Sequence, residues 1–396
     1  MERHAMKLLL LSTEFPPGPG GIGTHAYQLA IGLVRRGWEV TVLTPQDYAD
    51  EKEILSFNSS QPFTIVRLHH YPTSLLEGMY RLAVLICWFH RWSPDISVAS
   101  GERAVWLMAL ASLWLKHPWV AVGHGTEFGT QSGWESHLTR WAFKKASAIV
   151  AVSQYTCRRI KKMGICVPTI HVIPNGADAQ RFHPLPADRI FNFRSQFVSK
   201  GGRILLTVGN VTERKGQDIV IRALPLILKS GIDVHYLLVG LPTLREKLEA
   251  LARQLGVADR VHFLGRVDAS TLVEAYNACD IFVMTSRHTH DGDFEGYGIA
   301  VVEAALCGKP AVVSGGSGLE EAVLDGETGL VVPQNDPAAT ASAIVKLLTD
   351  EELYSRLAKQ ARERALREQT WEQRVGEYHR ILCTLLKRSN TRSQHR

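Results

Sequence analysis

The chain is short of cysteine, has no long apolar run, and is dominated by neither sign of charge. Its six cysteines (Cys87, Cys157, Cys166, Cys279, Cys307, Cys383) stand far apart in 396 residues. None forms a CxxC pair, and no cysteine/histidine spacing suits zinc, so the sequence offers neither a disulfide framework nor a structural zinc site. A reducing cytosol is the simplest home. No apolar stretch reaches the roughly 20 residues that span a bilayer; the nearest, AVWLMALASLWL at 104–115, covers about half of that length, and no transmembrane helix is expected. The opening MERHAMKLLLLSTEFPP imitates a signal peptide, but Ser12, Thr13 and Glu14 break the run Leu8 to Leu11 at once, so it reads as a first buried strand. Lys and Arg number 45 against 39 Asp and Glu, a formal +6 that makes no case for a nucleic-acid binder and leaves a small bias towards anionic partners.

What is present is ordinary globular material. Apolar residues make up 45% and charged residues 21%, which excludes a disordered, collagen-like or coiled-coil chain, and the length favours two domains over one large core. Short runs rich in Val, Ile and Leu alternate with longer helical patterns, as in parallel sheets covered on both faces. The first half reads as strands at 7–12, 40–44, 64–69, 96–99, 120–122, 148–152 and 171–173. The second half reads as strands at 203–208, 234–239, 261–264, 281–284, 311–313 and 329–332. The fold class is therefore α/β, two doubly wound Rossmann-like domains: 1–183, a linker at 184–202 closed by Gly-Gly, and 203–369. Residues 370–396 read as a C-terminal helix with an apolar face, crossing back to the first domain and ending in a polar, frayed tail. In such a fold, ligands gather where strand ends meet helix N-termini, so the motifs are sought in the turns that follow strands.

The first such turn is TEFPPGPGGIGTHAYQLA. Gly18, Gly20 and Gly23 formally spell the dinucleotide GxGxxG, but five residues separate them from the strand, and no acidic residue stands at the end of the next strand (Leu43-Thr44-Pro45). A loop arching over a phosphate-bearing ligand fits better; a bare tight turn is the blander reading. His124, between glycines after the 120–122 strand, is placed to donate to a ligand hydroxyl, or else is simply structural. In the second half, the strand at 203–208 runs into Gly209-Asn210-Val211-Thr212-Glu213-Arg214-Lys215-Gly216, where two cations at a helix opening suit a diphosphate. The most informative stretch is Phe294-Glu295-Gly296-Tyr297-Gly298. Glu295 and Glu303 stand eight positions apart, and a helix starting near Gly296 would project both carboxylates to one side, ready to accept from sugar hydroxyls. The glycine loop at 314–318 is a second candidate anion cradle. Asp291-Gly292-Asp293, beside His288 and His290, spells a metal-type DxD but sits in a polar insertion, and reads better as a loop rim near the acceptor than as a metal site.

These residues resemble a known family: the retaining GT-B glycosyltransferases of family four, the group with sucrose, trehalose and phosphatidylinositol mannosyltransferases. The anchor is the EX7E element Glu295…Glu303 followed by AALCGKP. Supporting it in the family's order are Gly20-Gly21 with Gly23, HGTE at His124, VSQYT at Val152, IPNGAD at Ile173, Lys215-Gly216, FLGRV at Phe263, and GGSGLEE followed by DGETGLVVP. The resemblance implies that Lys215 binds the donor diphosphate, that Glu303 binds the ribose hydroxyls, and that Glu295 holds the transferred sugar. It further implies backbone amides from Gly296, Tyr297 and Gly298, a sugar contact from His124, closure by Gly21 and Gly23, and Val267 along the base. One departure stands out: where the family carries an arginine ahead of the KG pair, this chain has Asn210, which leaves Arg214 or Asn210 itself to serve the diphosphate. The insertion RHTHDGDFEG is similar to that of lipid-linked mannosyltransferases and leans towards GDP-mannose.

The implied reaction moves a hexose from a nucleotide-diphosphate sugar, of GDP-mannose or UDP-glucose type, to a hydroxyl of a glycan, lipid-linked or small-molecule acceptor. It uses no metal and no cofactor and retains configuration by front-face attack. A sugar-nucleotide epimerase or hydrolase, a nicotinamide dehydrogenase and a non-catalytic sugar-nucleotide binder remain as alternatives. Eight of nine tryptophans fall before residue 142, and MYRLAVLICWFHRW at 79–92 mixes aromatic, aliphatic and basic residues as an interfacial helix does. Peripheral contact with the cytoplasmic face of a membrane through the first domain is the matching expectation. Through Arg189 there are 19 basic against 14 acidic residues, and 26 against 25 beyond it, which suggests an anionic acceptor or acceptor surface.

Overall fold

A computed structural model describes residues 5–18, 20–46, 48–129, 133–167, 169–199 and 201–394. The chain divides into two compact units, Met1–Pro174 with Trp371–Arg396, and Asn175–Thr370.

The first unit is built on seven strands: β1 (Lys7–Ser12), β2 (Glu39–Thr44), β3 (Thr64–Arg67), β4 (Ile96–Ser100), β5 (Trp119–Gly123), β6 (Ala148–Ala151) and β7 (Ile170–Val172). They lie in the order β3-β2-β1-β4-β5-β6-β7, every pair parallel. The second unit has six: β8 (Arg203–Val208), β9 (Val234–Val239), β10 (Val261–Gly265), β11 (Ile281–Met284), β12 (Ala311–Ser314) and β13 (Gly329–Val332). Their order is β10-β9-β8-β11-β12-β13, again all parallel. Each sheet thus reverses direction beside its first strand, the topology of a doubly wound nucleotide-binding fold. A strand paired on both edges and covered on both faces has no solvated side, which is why Leu8 to Leu11 are four leucines in a row and all buried. All thirteen expected strands are present, with ends that differ by a residue or two.

Two boundaries differ from expectation. The change of unit falls after Pro174, ahead of the 184–202 stretch. That stretch contains a helix, Ala187–Arg194, bound into the second unit: Arg189 pairs with Glu274, Arg194 pairs with Asp280 at 2.9 Å, and Phe193 is buried. The prolines and mixed polarity suggested a linker because the carboxylates that hold these arginines lie some 80 residues further on. The second boundary is the tail. The helix Trp371–Gln394 continues through most of the segment read as frayed, and His395 and Arg396 lie outside the described residues. This helix covers the first unit's opening helix, Gly21–Val34, with Val375, Tyr378 and Leu382 buried. At Gly32 a β-carbon would come within 2.7 Å of Val375 Cγ2, so glycine lets the helices approach. Trp38 Nε1 donates to His379 Nδ1 at 2.9 Å, and Arg36 donates to the Glu372 carbonyl. Among the described residues no helix is long and apolar enough to cross a membrane.

Candidate functional site

In the second unit the turn after β8 is folded tightly enough to bring two cations onto the neighbouring strand end. Past β8, Gly209 adopts φ +149°, and a β-carbon there would sit 3.1 Å from Lys215 Cε, so the lysine stem lies back over the strand end. A 3₁₀ turn, Glu213–Lys215, closes on Gly216 at φ +67°. A β-carbon on Gly216 would stand 2.0 Å from the Thr285 carbonyl oxygen, a contact no side chain survives, and Thr285 Oγ1 donates to the Gly216 carbonyl at 2.7 Å. Thr285 follows β11 directly. The arginine–lysine turn is thereby clamped against the loop that carries Asp293 and Glu295.

The side chains meet there. Arg214 Nη1 donates to Glu295 Oε2 at 2.5 Å, Lys215 Nζ donates to the same oxygen at 2.8 Å, and Arg214 Nε pairs with Asp293 Oδ2 at 3.0 Å. Ser286 Oγ lies 3.5 Å from that Glu295 oxygen. Burial alone would raise the Glu295 pKa, but Arg214 and then Lys215 outweigh it and hold the carboxyl at about 2. Burial lowers Lys215, against the pull of Glu295, and raises Asp293 despite Arg214. Two largely covered cations and two carboxylates therefore neutralise one another, and an anion arriving at this point would meet both cations together.

The other expected positions sort themselves around this cluster. The helix carrying Glu303 begins at Ile299, three residues later than the glycines suggested, because Gly296 to Gly298 stay in the loop and Gly298 turns at φ +90°. Glu295 is thus a loop residue and Glu303 a helix residue, and they take separate partners: Tyr276 donates its hydroxyl to Glu303 Oε2 at 2.5 Å, and burial raises the Glu303 pKa. Tyr297 is buried with its hydroxyl accepting from Gln369 at 3.1 Å, which leaves its backbone as the part near Glu295. Asn210 uses its side-chain oxygen to accept from Leu241 N at 3.3 Å, bracing the end of β9, so Arg214 rather than Asn210 stands with Lys215. Val267 is half-buried in the loop between β10 and the helix Ala269–Ala278. The glycine loop at 314–318 has its Gly316 amide donating to Glu320 at 2.7 Å, so that amide already has an anion of its own chain.

Asp291 and Asp293 part company. Asp293 belongs to the cation cluster, whereas Asp291 is exposed beside His290. Among the described residues no group of three or more His, Cys, Asp or Glu could hold a metal. The acidic DxD spelling was the signal that could have placed Asp293; its pairing with Arg214 spans 79 positions and has no local trace.

In the first unit His124 follows β5. Glu127 accepts from the His124 amide at 3.1 Å and the Gly125 amide at 2.7 Å, so the HGTE spelling is a turn wrapped around its own glutamate. Burial pushes Glu127 up to about 7 and His124 down to about 3. Gly21 and Gly23 open the helix Gly21–Val34; a β-carbon on Gly20 would meet Glu14 Oε2 at 2.1 Å, so a carboxylate lies across this glycine turn.

Two family models match the chain, glycosyltransferase family 4 over residues 19–181 and glycosyl transferases group 1 over 188–364. A GDP-mannose-dependent alpha-(1-6)-phosphatidylinositol monomannoside mannosyltransferase from Mycolicibacterium smegmatis is 31% identical, over 95% of this chain and 98% of its own. Glycogen synthase from Mycobacterium tuberculosis is 28% identical over 93% and 92%. Among solved structures, Anabaena HepE in complex with UDP and glucose superposes at a TM-score of 0.82 with 23% identity, covering 96% of this chain and 100% of that one. With two parallel Rossmann-like sheets and these matches, the molecule has the GT-B fold. The chain belongs to glycosyltransferase family 4 and is a glycosyltransferase.

Proposed function

We propose that the protein transfers a hexose, with retention of configuration, from a nucleotide-diphosphate sugar to an acceptor hydroxyl, with no metal or cofactor. The observation that carries this reading is the convergence of Arg214 and Lys215 on the Glu295 carboxylate. Breaking the bond between the anomeric carbon and the diphosphate sends its electron pair to a phosphate oxygen, and preorganised cations stabilise that charge without reorganisation. The acceptor oxygen attacks from the same face, and its proton passes to the departing phosphate. In this reading Arg214 and Lys215 receive the diphosphate, and Asp293 aims Arg214 into the place that Asn210 leaves vacant. Glu295 turns from the cations to the hydroxyls of the sugar, with Gly296, Tyr297 and Gly298 offering amides beside it. Glu303 takes the ribose hydroxyls, Val267 borders the base, His124 meets the sugar, and Gly21 and Gly23 line the phosphates or the acceptor.

The donor is of GDP-mannose type and the acceptor an anionic glycolipid, a choice supported by the M. smegmatis relative, whose name gives both; UDP-glucose is the competing donor, supported by HepE. Membrane contact through the first unit is supported by the helix Ser74–Trp92, which leaves Leu75 at 73% and Met79 at 62% exposure. A thermal-shift panel of GDP-, UDP- and ADP-sugars tests the donor, since a ligand bound only by the native state raises the melting temperature. GDP-mannose gives the largest rise; a larger rise with UDP-glucose reverses the donor, and no rise with any of them removes the hexose-donor assignment.

A further inference from the structure

Four polar side chains of the first unit form a buried chain of hydrogen bonds, and three of them, Tyr378, His25 and Ser100, have no part in the transfer step described above. Tyr378, on the helix Trp371–Gln394, has its hydroxyl 2.9 Å from Nε2 of His25 on the helix Gly21–Val34. His25 Nδ1 lies 3.5 Å from Oγ of Ser100, the last residue of β4, and Ser100 Oγ lies 2.8 Å from Nε2 of His124. The rings of His25 and His124 meet edge to face at 5.0 Å, and the Trp371 ring also meets His25 edge to face at 5.7 Å. All four residues are buried. Burial keeps both imidazoles below the usual histidine pKa, so each is neutral at physiological pH and carries a single N–H.

With one proton per ring, the direction of each bond fixes the next. Among the described residues, His25 is the partner of the Tyr378 hydroxyl. A phenol proton buried without an acceptor costs about 1–3 kcal/mol, so Tyr378 donates to Nε2 of His25. His25 then carries its proton on Nδ1 and donates to Ser100 Oγ. Ser100 in turn donates to Nε2 of His124, which leaves the His124 proton on Nδ1, the ring nitrogen with no partner among the described residues. The reverse order, starting from a proton on His124 Nε2, ends with the Tyr378 proton stranded.

We propose that Tyr378, through His25 and Ser100, is a positioning residue that fixes His124 as the Nδ1–H tautomer and so presents one N–H to the donor sugar. The tautomer stands on these contacts alone; its consequence for transfer rests on the reading of His124 as a sugar contact. The C-terminal helix acquires a role beyond covering apolar surface: it sets the hydrogen-bonding character of a residue more than 250 positions earlier.

Nitrogen-15 imidazole spectra of the full, ligand-free chain decide it. In the wild type, His25 and His124 both show the Nδ1–H pattern. In Tyr378→Phe the His124 signal moves towards Nε2–H, and kcat falls about three- to tenfold, the scale of one neutral hydrogen bond, with donor KM nearly unchanged. Ser100→Ala has the same effect with Tyr378 intact. An Nε2–H pattern for His124 in the wild type overturns the proposal, as does an unchanged tautomer in both variants, and the wild-type spectrum does not depend on any variant folding. If the tautomers behave as stated while transfer is unaffected, the relay stands and the sugar-contact role of His124 falls.

Discussion

Glu295 is the residue on which the two halves of the donor-site reading meet, because its carboxylate is held by the two cations proposed to receive the diphosphate. Its charge is sustained by Arg214 and Lys215 against the cost of burial. Replacing it by glutamine keeps the shape and removes the charge, so a nucleoside diphosphate without sugar should bind Glu295→Gln several-fold more tightly by calorimetry, while transfer falls by about a hundredfold or more. Weaker diphosphate binding together with unchanged transfer would remove Glu295 from the site. The pH dependence has a definite sign. The folded-state pKa, about 2, lies below the ordinary value of 4.5, so the stabilisation is complete above pH 4.5 and is lost as pH falls towards 2. That contribution, on the order of 3 kcal/mol, is absent from the glutamine variant, and the two melting curves should converge across that window.

At the scale of elements, the proposed donor site depends on how closely two strand ends approach. The turn after β8 touches the loop after β11 through Gly216 and Thr285, with no room for a methyl group between them. Gly216→Ala must therefore displace the backbone as well as adopt φ +67°, at a cost of about 1–3 kcal/mol. We expect a melting temperature lower by several degrees and a donor KM raised about tenfold, because Lys215 and Arg214 move with the turn. A variant of normal stability and normal KM would mean that the clamp does not position the cations. The helix Ala187–Arg194 makes the same point about distance: its arginines look like linker residues until Glu274 and Asp280 are brought to them.

Over the whole molecule, the C-terminal helix changes the charge balance as well as the packing. Counted by compact unit, the first holds 23 basic and 14 acidic residues and the second 22 and 25, so a formal +6 divides into +9 and −3. The helix Trp371–Gln394 and the two residues after it contribute six of those basic residues. An anionic surface should therefore attract the first unit. Sedimentation with vesicles containing anionic lipid is expected at low salt, to be reduced sharply by 0.5 M salt, and to be weakened further in a Leu75→Asp, Met79→Asp double variant. Equal recovery with neutral and anionic vesicles refutes the preference for an anionic surface, and none with either refutes the membrane reading.

Pattern alone carries a good part of this. The strands were legible because parallel strands covered on both faces are mostly apolar, as in the runs Leu8 to Leu11 and Ile281 to Met284, and the paired glutamates, the KG turn and HGTE were legible because their spacing is local. What the linear order does not contain is which distant groups neutralise one another. Asp293 joins Arg214, Asn210 braces β9 through its side-chain oxygen, and Tyr276 donates to Glu303, each through contacts 27 to 79 positions long. Tyr378 reaches His25 across 353. Burial makes unpaired polar groups costly, so only the folded chain, where every buried proton and charge must find its partner, decides which residues are left to face a ligand.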